Sequence, residues 1–182
     1  MRLFIGIPLA DEVNAELGAV CARLRSATDG LRWSGHETWH VTLQFLGNAT
    51  PEQYECLSAR LREVRSGPVP IRLGELGFFD RAGIFFAGVD TTGQLISLQQ
   101  RVTEATAGCG FVAEGREFHP HITLARAKGH GRGRPLSALK DRIGSQANFS
   151  RFTAEEFLLY ESHLGAGGST YEVREKYALN GR

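Results

Sequence analysis

The chain has 182 residues, 42% hydrophobic and 23% charged, with a formal net charge of +1. These proportions fit a globular protein of one domain, or of one domain built from two similar lobes, with a sizeable core. The near-neutral balance excludes a chain that binds nucleic acid by global charge, so a nucleic-acid site here has to be a local patch.

Residues 3–7, LFIGI, form a short apolar run closed by Pro8 and read as a buried strand. The run ends too soon, at Asp11, for the apolar region of a signal peptide, and no stretch nears the roughly 18 apolar residues that span a bilayer. Asp11 is the expected N-cap of a helix over 12–25, where Val13, Leu17, Val20 and Leu24 recur at helical spacing before Asp29-Gly30. In 40–46, HVTLQFL, Val41, Leu43 and Phe45 alternate with His40, Thr42 and Gln44, the mark of a half-buried strand. Thr50-Pro51 starts a helix that runs to about residue 65. Strands are expected over 69–76 and 83–89, with a turn at Asp80 to Gly83 between them. A helix over 93–107 carries Leu95, Leu98 and Val102. The segment 118–126, FHPHITLAR, alternates after Pro120, with His121 and Thr123 on one face and Ile122 and Leu124 on the other. A glycine-rich basic loop, 128–134, precedes a short helix near 136–143, and strands at 152–160 and 171–179 flank the loop GAGGS.

Cys21, Cys56 and Cys109 are odd in number and lack metal-ligand spacing. They read as three small buried thiols rather than a disulfide framework, a pattern that fits a reducing cytosol.

One pattern organises the chain. His40-Val41-Thr42-Leu43 recurs as His121-Ile122-Thr123-Leu124, 81 residues later. That period is too long for a solenoid and points to two similar lobes facing each other, an α+β fold with mainly antiparallel sheets. Two such strands across a cleft would present two imidazoles and two hydroxyls. That set suits displacement at phosphorus, where one oxygen arrives as another leaves from the opposite side. One imidazole takes the proton of the attacking water and the other protonates the leaving oxygen, both with pKa values near neutrality. The threonines can hydrogen-bond the non-bridging oxygens. No metal and no other cofactor is required.

These motifs carry a resemblance. RLFIGIPL, WHVTLQFLG, FHPHITLAR and LYESHLGAGGSTYEV together resemble the opening strand, the two His-x-Thr motifs and the closing hairpin of the LigT-like RNA 2′,3′-cyclic phosphodiesterases, a branch of the two-histidine (2H) phosphoesterases. The resemblance implies one bilobal α+β domain over 1–182 with mainly antiparallel sheets around a central cleft. It implies hydrolysis of terminal 2′,3′-cyclic phosphates to 2′-phosphate ends, and in some members 2′–5′ joining of RNA ends. It further implies His40 as proton donor, His121 as proton acceptor, and Thr42 and Thr123 as phosphate-binding residues. The partners expected are RNA ends bearing the cyclic phosphate, for a cytoplasmic monomer. Members often carry a Trp in the strand that here reads GIFFAGV, where Phe85-Phe86 stand.

Lesser candidates surround these. Arg126 ends the second motif strand, as a phosphate contact or an exposed charge. Phe45 has core parity, so packing is favoured over base stacking. Tyr160, His163 and His119 read as packing or rim residues. Lys128, His130, Arg132 and Arg134 form either a phosphate-backbone contact or a solvated loop. Trp33 or Trp39 would supply a stacking surface. His36-Glu37-Thr38-Trp39-His40 matches the zinc motif H-E-x-x-H, which needs a helix to bring both histidines to one face. A zinc hydrolase through His36 and His40 and a non-catalytic RNA-end binding module are therefore the competing readings.

Overall fold

Two antiparallel sheets each carry one of the repeated motifs. In the computed structural model, residues 1–26, 29–113, 115–128, 133–143, 148–165 and 168–181 are described, without the side chains of 133 and 134. The first sheet is built on β1 (Arg2–Pro8), paired on one side with β3 (His40–Asn48) and on the other with β8 (Glu156–Gly165), which pairs with β9 (Gly168–Ala178). The second holds, in spatial order, β2 (Leu31–Trp33), β6 (His121–Ala127), β5 (Ile84–Val89), β4 (Val69–Phe79) and β7 (Arg151–Ala154). Strands β3 and β6 approach each other between the sheets.

The helices are α1 (Asp11–Leu24), α2 (Pro51–Leu61), α3 (Gly93–Ala107) and α4 (Gly133–Lys140). Helix α1 buries Val13, Leu17, Val20 and Leu24, the stripe read from the sequence. Its N-cap is Ala10 and not Asp11; Asp11 stands in the first turn with Glu12, where negative charge favours the helix dipole. Helix α2 opens on a capping box between Thr50 and Gln53 and stops at Leu61, short of the expected 65. One cluster of buried side chains joins both halves: Ile7 and Val41 from the first sheet, Phe85 and Ile122 from the second, and Leu17, Leu57 and Leu95 from the helices.

Two differences from the sequence reading matter. The expected strand 152–160 is two strands in different sheets: β7 pairs with β4, and β8 with β1, so the chain crosses from one sheet to the other at Glu155. The cysteines are not three separate thiols. Cys56 on α2 and Cys109 just beyond α3 form a disulfide across 53 residues, because packing of the two helices brings together positions that sequence spacing alone does not relate. Cys21 is free and buried, and burial pushes its thiol up to about 12.

Candidate active site

The two motif strands repeat more than their letters. From His40 to Phe45 the burial runs half-buried, buried, half-buried, buried, buried, exposed; from His121 to Arg126 it runs the same way. The cause is a register shift after each threonine. Gly6 pairs with Thr42 and Ile5 with Gln44, so Leu43 is an extra residue. Phe86 pairs with Thr123 and Phe85 with Ala125, so Leu124 is its counterpart. Such a bulge reverses the side-chain alternation beyond it.

Simple alternation put Phe45 in the core and Gln44 on the polar face, and the bulge exchanges them. Gln44 is buried and its Oε1 accepts from Thr106 Oγ1 at 2.8 Å. Phe45 is 56% exposed on the face of Phe4, whose ring centroid is 6.1 Å away. The second bulge likewise turns Arg126 to the face of Thr123 and His121.

Each motif histidine is held in the same way. His40 Nδ1 lies 2.8 Å from the carbonyl oxygen of Thr38, and His121 Nδ1 lies 2.7 Å from that of His119. A carbonyl only accepts, so Nδ1 carries the proton in both neutral rings and Nε2 is left for substrate. Burial is the main force that lowers both pKa values. His40 is held down to about 4, against the pull of the Thr38 carbonyl and with a further push from the charge of His121. His121 is lowered by burial, with His119 and Arg126 adding repulsion. Thr42 and Thr123 are half-buried, and neither hydroxyl has a hydrogen-bond partner among the described residues.

Aromatic walls surround the pair. Phe4, Tyr160 and Tyr171 lie 4.6, 5.7 and 5.3 Å from the His40 ring. Phe79 and Phe86 lie 5.0 and 5.4 Å from that of His121. Of the two adjacent phenylalanines, Phe86 thus faces His121, while Phe85 is in the core. Phe4, Phe79 and Tyr171 were not singled out from the sequence; each comes from a distant strand, and only sheet pairing brings them in. The two tryptophans do not line this site. Trp39 is buried, and Trp33 packs edge-on to Phe85 with its Nε1–H donating to Asp29 Oδ2 at 2.8 Å. Tyr160 is buried and stacked on Phe4, and His163 makes a rim contact with Glu172 at 3.3 Å. His119 is exposed, edge-on to Phe79 at 5.3 Å.

The H-E-x-x-H sequence has no helix to serve it. His36–Thr38 is one 3₁₀ turn, His40 begins a strand, and His36 is exposed beside Glu37 at 3.6 Å. The spacing that would align two imidazoles on a helix face therefore does not operate. Of the basic loop, Lys128 is exposed; His130 and Arg132 and the side chain of Arg134 lie outside the described residues.

Residues 11–166 match a protein-family model described as the 2′-5′ RNA ligase superfamily. An RNA 2′,3′-cyclic phosphodiesterase of Aeropyrum pernix is 36% identical over 154 residues, 80% of this chain and 86% of that protein. One of Geobacillus stearothermophilus is 31% identical over 167 residues, 88% of this chain, although the chain spans only 52% of that protein's length. The crystal structure of E. coli LigT complexed with 3′-AMP has the same fold, with a TM-score of 0.81 at 25% identity over 98% of this chain and 97% of that one.

Proposed function

The chain belongs to the 2′-5′ RNA ligase superfamily, and from that premise we propose that it is an RNA 2′,3′-cyclic phosphodiesterase working through His40 and His121. The observation that carries the reading is the matched pair of imidazoles, each fixed at Nδ1 by a carbonyl two residues upstream and each offering Nε2.

In this reading the cyclic phosphate sits between the two rings, with Thr42 and Thr123 donating to its non-bridging oxygens. Water attacks phosphorus, and His121 Nε2 accepts its proton. The bond from phosphorus to the ribose 3′-oxygen breaks, and His40 Nε2–H donates to that oxygen. The products are a 2′-phosphate and a 3′-hydroxyl. Solvent then returns the proton from His121 to His40. Burial keeps His40 neutral in the free enzyme near pH 7, and the phosphate anion entering between the rings favours its protonated, donating form. An RNA 5′-hydroxyl in place of water would give a 2′–5′ linkage by the same transfers. General acid–base assistance contributes ~10²–10⁴-fold per group, with orientation and charge stabilisation supplying the rest.

The substrate is an RNA end bearing the cyclic phosphate, and the whole of 1–182 acts as one bilobal domain. The buried cluster shared by both sheets supports that unity. One chain contributes both motifs, which supports a monomer. No helix among the described residues is long and apolar enough to cross a membrane. The Cys56–Cys109 bond removes the argument for a cytoplasm from free thiols, so that location rests on the RNA substrate. The test is an oligoribonucleotide ending in a 2′,3′-cyclic phosphate, incubated with the protein in EDTA. A 2′-phosphate end supports the reading; tight binding with the cyclic end intact contradicts it.

A further inference from the structure

Beside the histidines lies a second polar feature that the reaction does not use. Arg32 on β2 is the direct cross-strand partner of Arg126 on β6. Partners directly opposite each other in an antiparallel pair share a face, and the bulge at Leu124 makes that face the one bearing Thr123 and His121. Two like charges set opposite each other repel, and here the repulsion is not screened by acid: among the described residues, neither guanidinium has a carboxylate partner. Desolvation is the leading force that lowers the Arg126 pKa, and the charge of Arg32 lowers it further, although much of the Arg126 side chain reaches solvent. The pair is also bounded on the far side. A Cβ at Gly168, on the hairpin of the other sheet, would stand 4.0 Å from Arg32 Cδ, and Tyr171 of the same hairpin is edge-on to His40 at 5.3 Å.

We propose that Arg32 and Arg126 form a second phosphate subsite, which holds the phosphodiester preceding the cyclic phosphate at an RNA 3′ end. The proposal rests on the activity proposed above and adds to it. Two unpaired guanidiniums facing one another are relieved by an anion placed between them, and a planar fork of donors fits a phosphate. Strand β2 is the edge strand of its sheet and lies about 5 Å to the side of β6, which sets Arg32 to one side of the strand that carries His121. The enzyme then distinguishes an RNA end from a mononucleotide by charge and spacing, with no base read.

The test compares three substrates: adenosine 2′,3′-cyclic phosphate, the dinucleotide ApA with a terminal 2′,3′-cyclic phosphate, and that dinucleotide with a neutral methylphosphonate internal linkage. The wild type is expected to favour the charged dinucleotide by about tenfold in kcat/KM over both others, the scale of one charge-assisted contact, chiefly through KM. Arg32→Ala is expected to abolish the difference between the charged and neutral dinucleotides, and Arg32→Lys to keep part of it. An Arg32→Ala enzyme that still discriminates them as the wild type does, or a wild type that never discriminates, overturns the subsite while leaving the cyclic phosphodiesterase intact. Failure of the wild type to open any of the three overturns the activity, and the subsite with it.

Discussion

The Nδ1–H of His40 donates to the carbonyl oxygen of Thr38 at 2.8 Å, and that bond aims Nε2 away from its own strand. The same relation joins His121 to His119 at 2.7 Å, so the chain builds one orienting device twice. Peptide carbonyls fix the tautomer without a carboxylate, and both rings remain free to cycle between neutral and charged.

The pH dependence follows with its sign. Burial disfavours a charged ring, so both free-enzyme pKa values lie below 6.5, that of His40 at about 4. The active free form has one charged and one neutral imidazole, and its population falls as pH rises past both values. The kcat/KM profile is therefore a bell with its maximum acid of 6.5. The bound phosphate anion favours the charged ring, so the kcat bell sits at higher pH. Initial rates over pH 4–9, at saturating and at low substrate, give both curves; coincident bells would contradict the coupling of phosphate to His40.

Gly6 lies under the first histidine. A Cβ there would stand 3.0 Å from the Val41 carbonyl oxygen and 3.1 Å from His40 Cδ2. Gly6→Ala is expected to displace the ring and lower kcat between about ten- and a hundredfold, with KM changed less. Steady-state kinetics beside a circular dichroism spectrum separates this from misfolding.

Phe45 is exposed on the cleft face, so Phe45→Ala is expected to change stability by no more than about 0.5 kcal/mol. If its ring supports a base, the KM for an RNA end rises about tenfold while kcat holds, since a base on an aromatic ring is worth about 1–3 kcal/mol. An unchanged KM would make Phe45 a bystander at the rim.

The Cys56–Cys109 bond closes a loop that contains β4, β5 and α3. Reduction, or Cys56→Ser, is expected to lower unfolding stability by about 2–4 kcal/mol. Urea titrations with and without dithiothreitol measure it, and identical midpoints would show that the bond contributes nothing in solution.

Much of this site was legible because its chemistry is written twice. His40 with Thr42 and His121 with Thr123 stand out by identity and spacing, and the helices carry ordinary apolar stripes. The bulges were not legible. Leu43 and Leu124 look like regular alternating positions, and only pairing with Gly6 and Phe86 shows that each is an extra residue. That one shift moves Phe45 and Arg126 to the cleft and Gln44 to the core. The aromatic walls stayed hidden for a related reason: Phe4, Phe79 and Tyr171 belong to strands that meet only when the sheets form. The disulfide was hidden because helix packing, not spacing, sets which cysteines meet.

The most direct test of the central claim is single-turnover opening of a 2′,3′-cyclic RNA end, in EDTA, by the wild type, His40→Ala, His121→Ala and the double variant. The account predicts that each single substitution costs ~10²–10⁴-fold and the double little more, because the two rings serve one proton-transfer sequence. A single variant within tenfold of the wild type, or losses that multiply in the double variant, would contradict it.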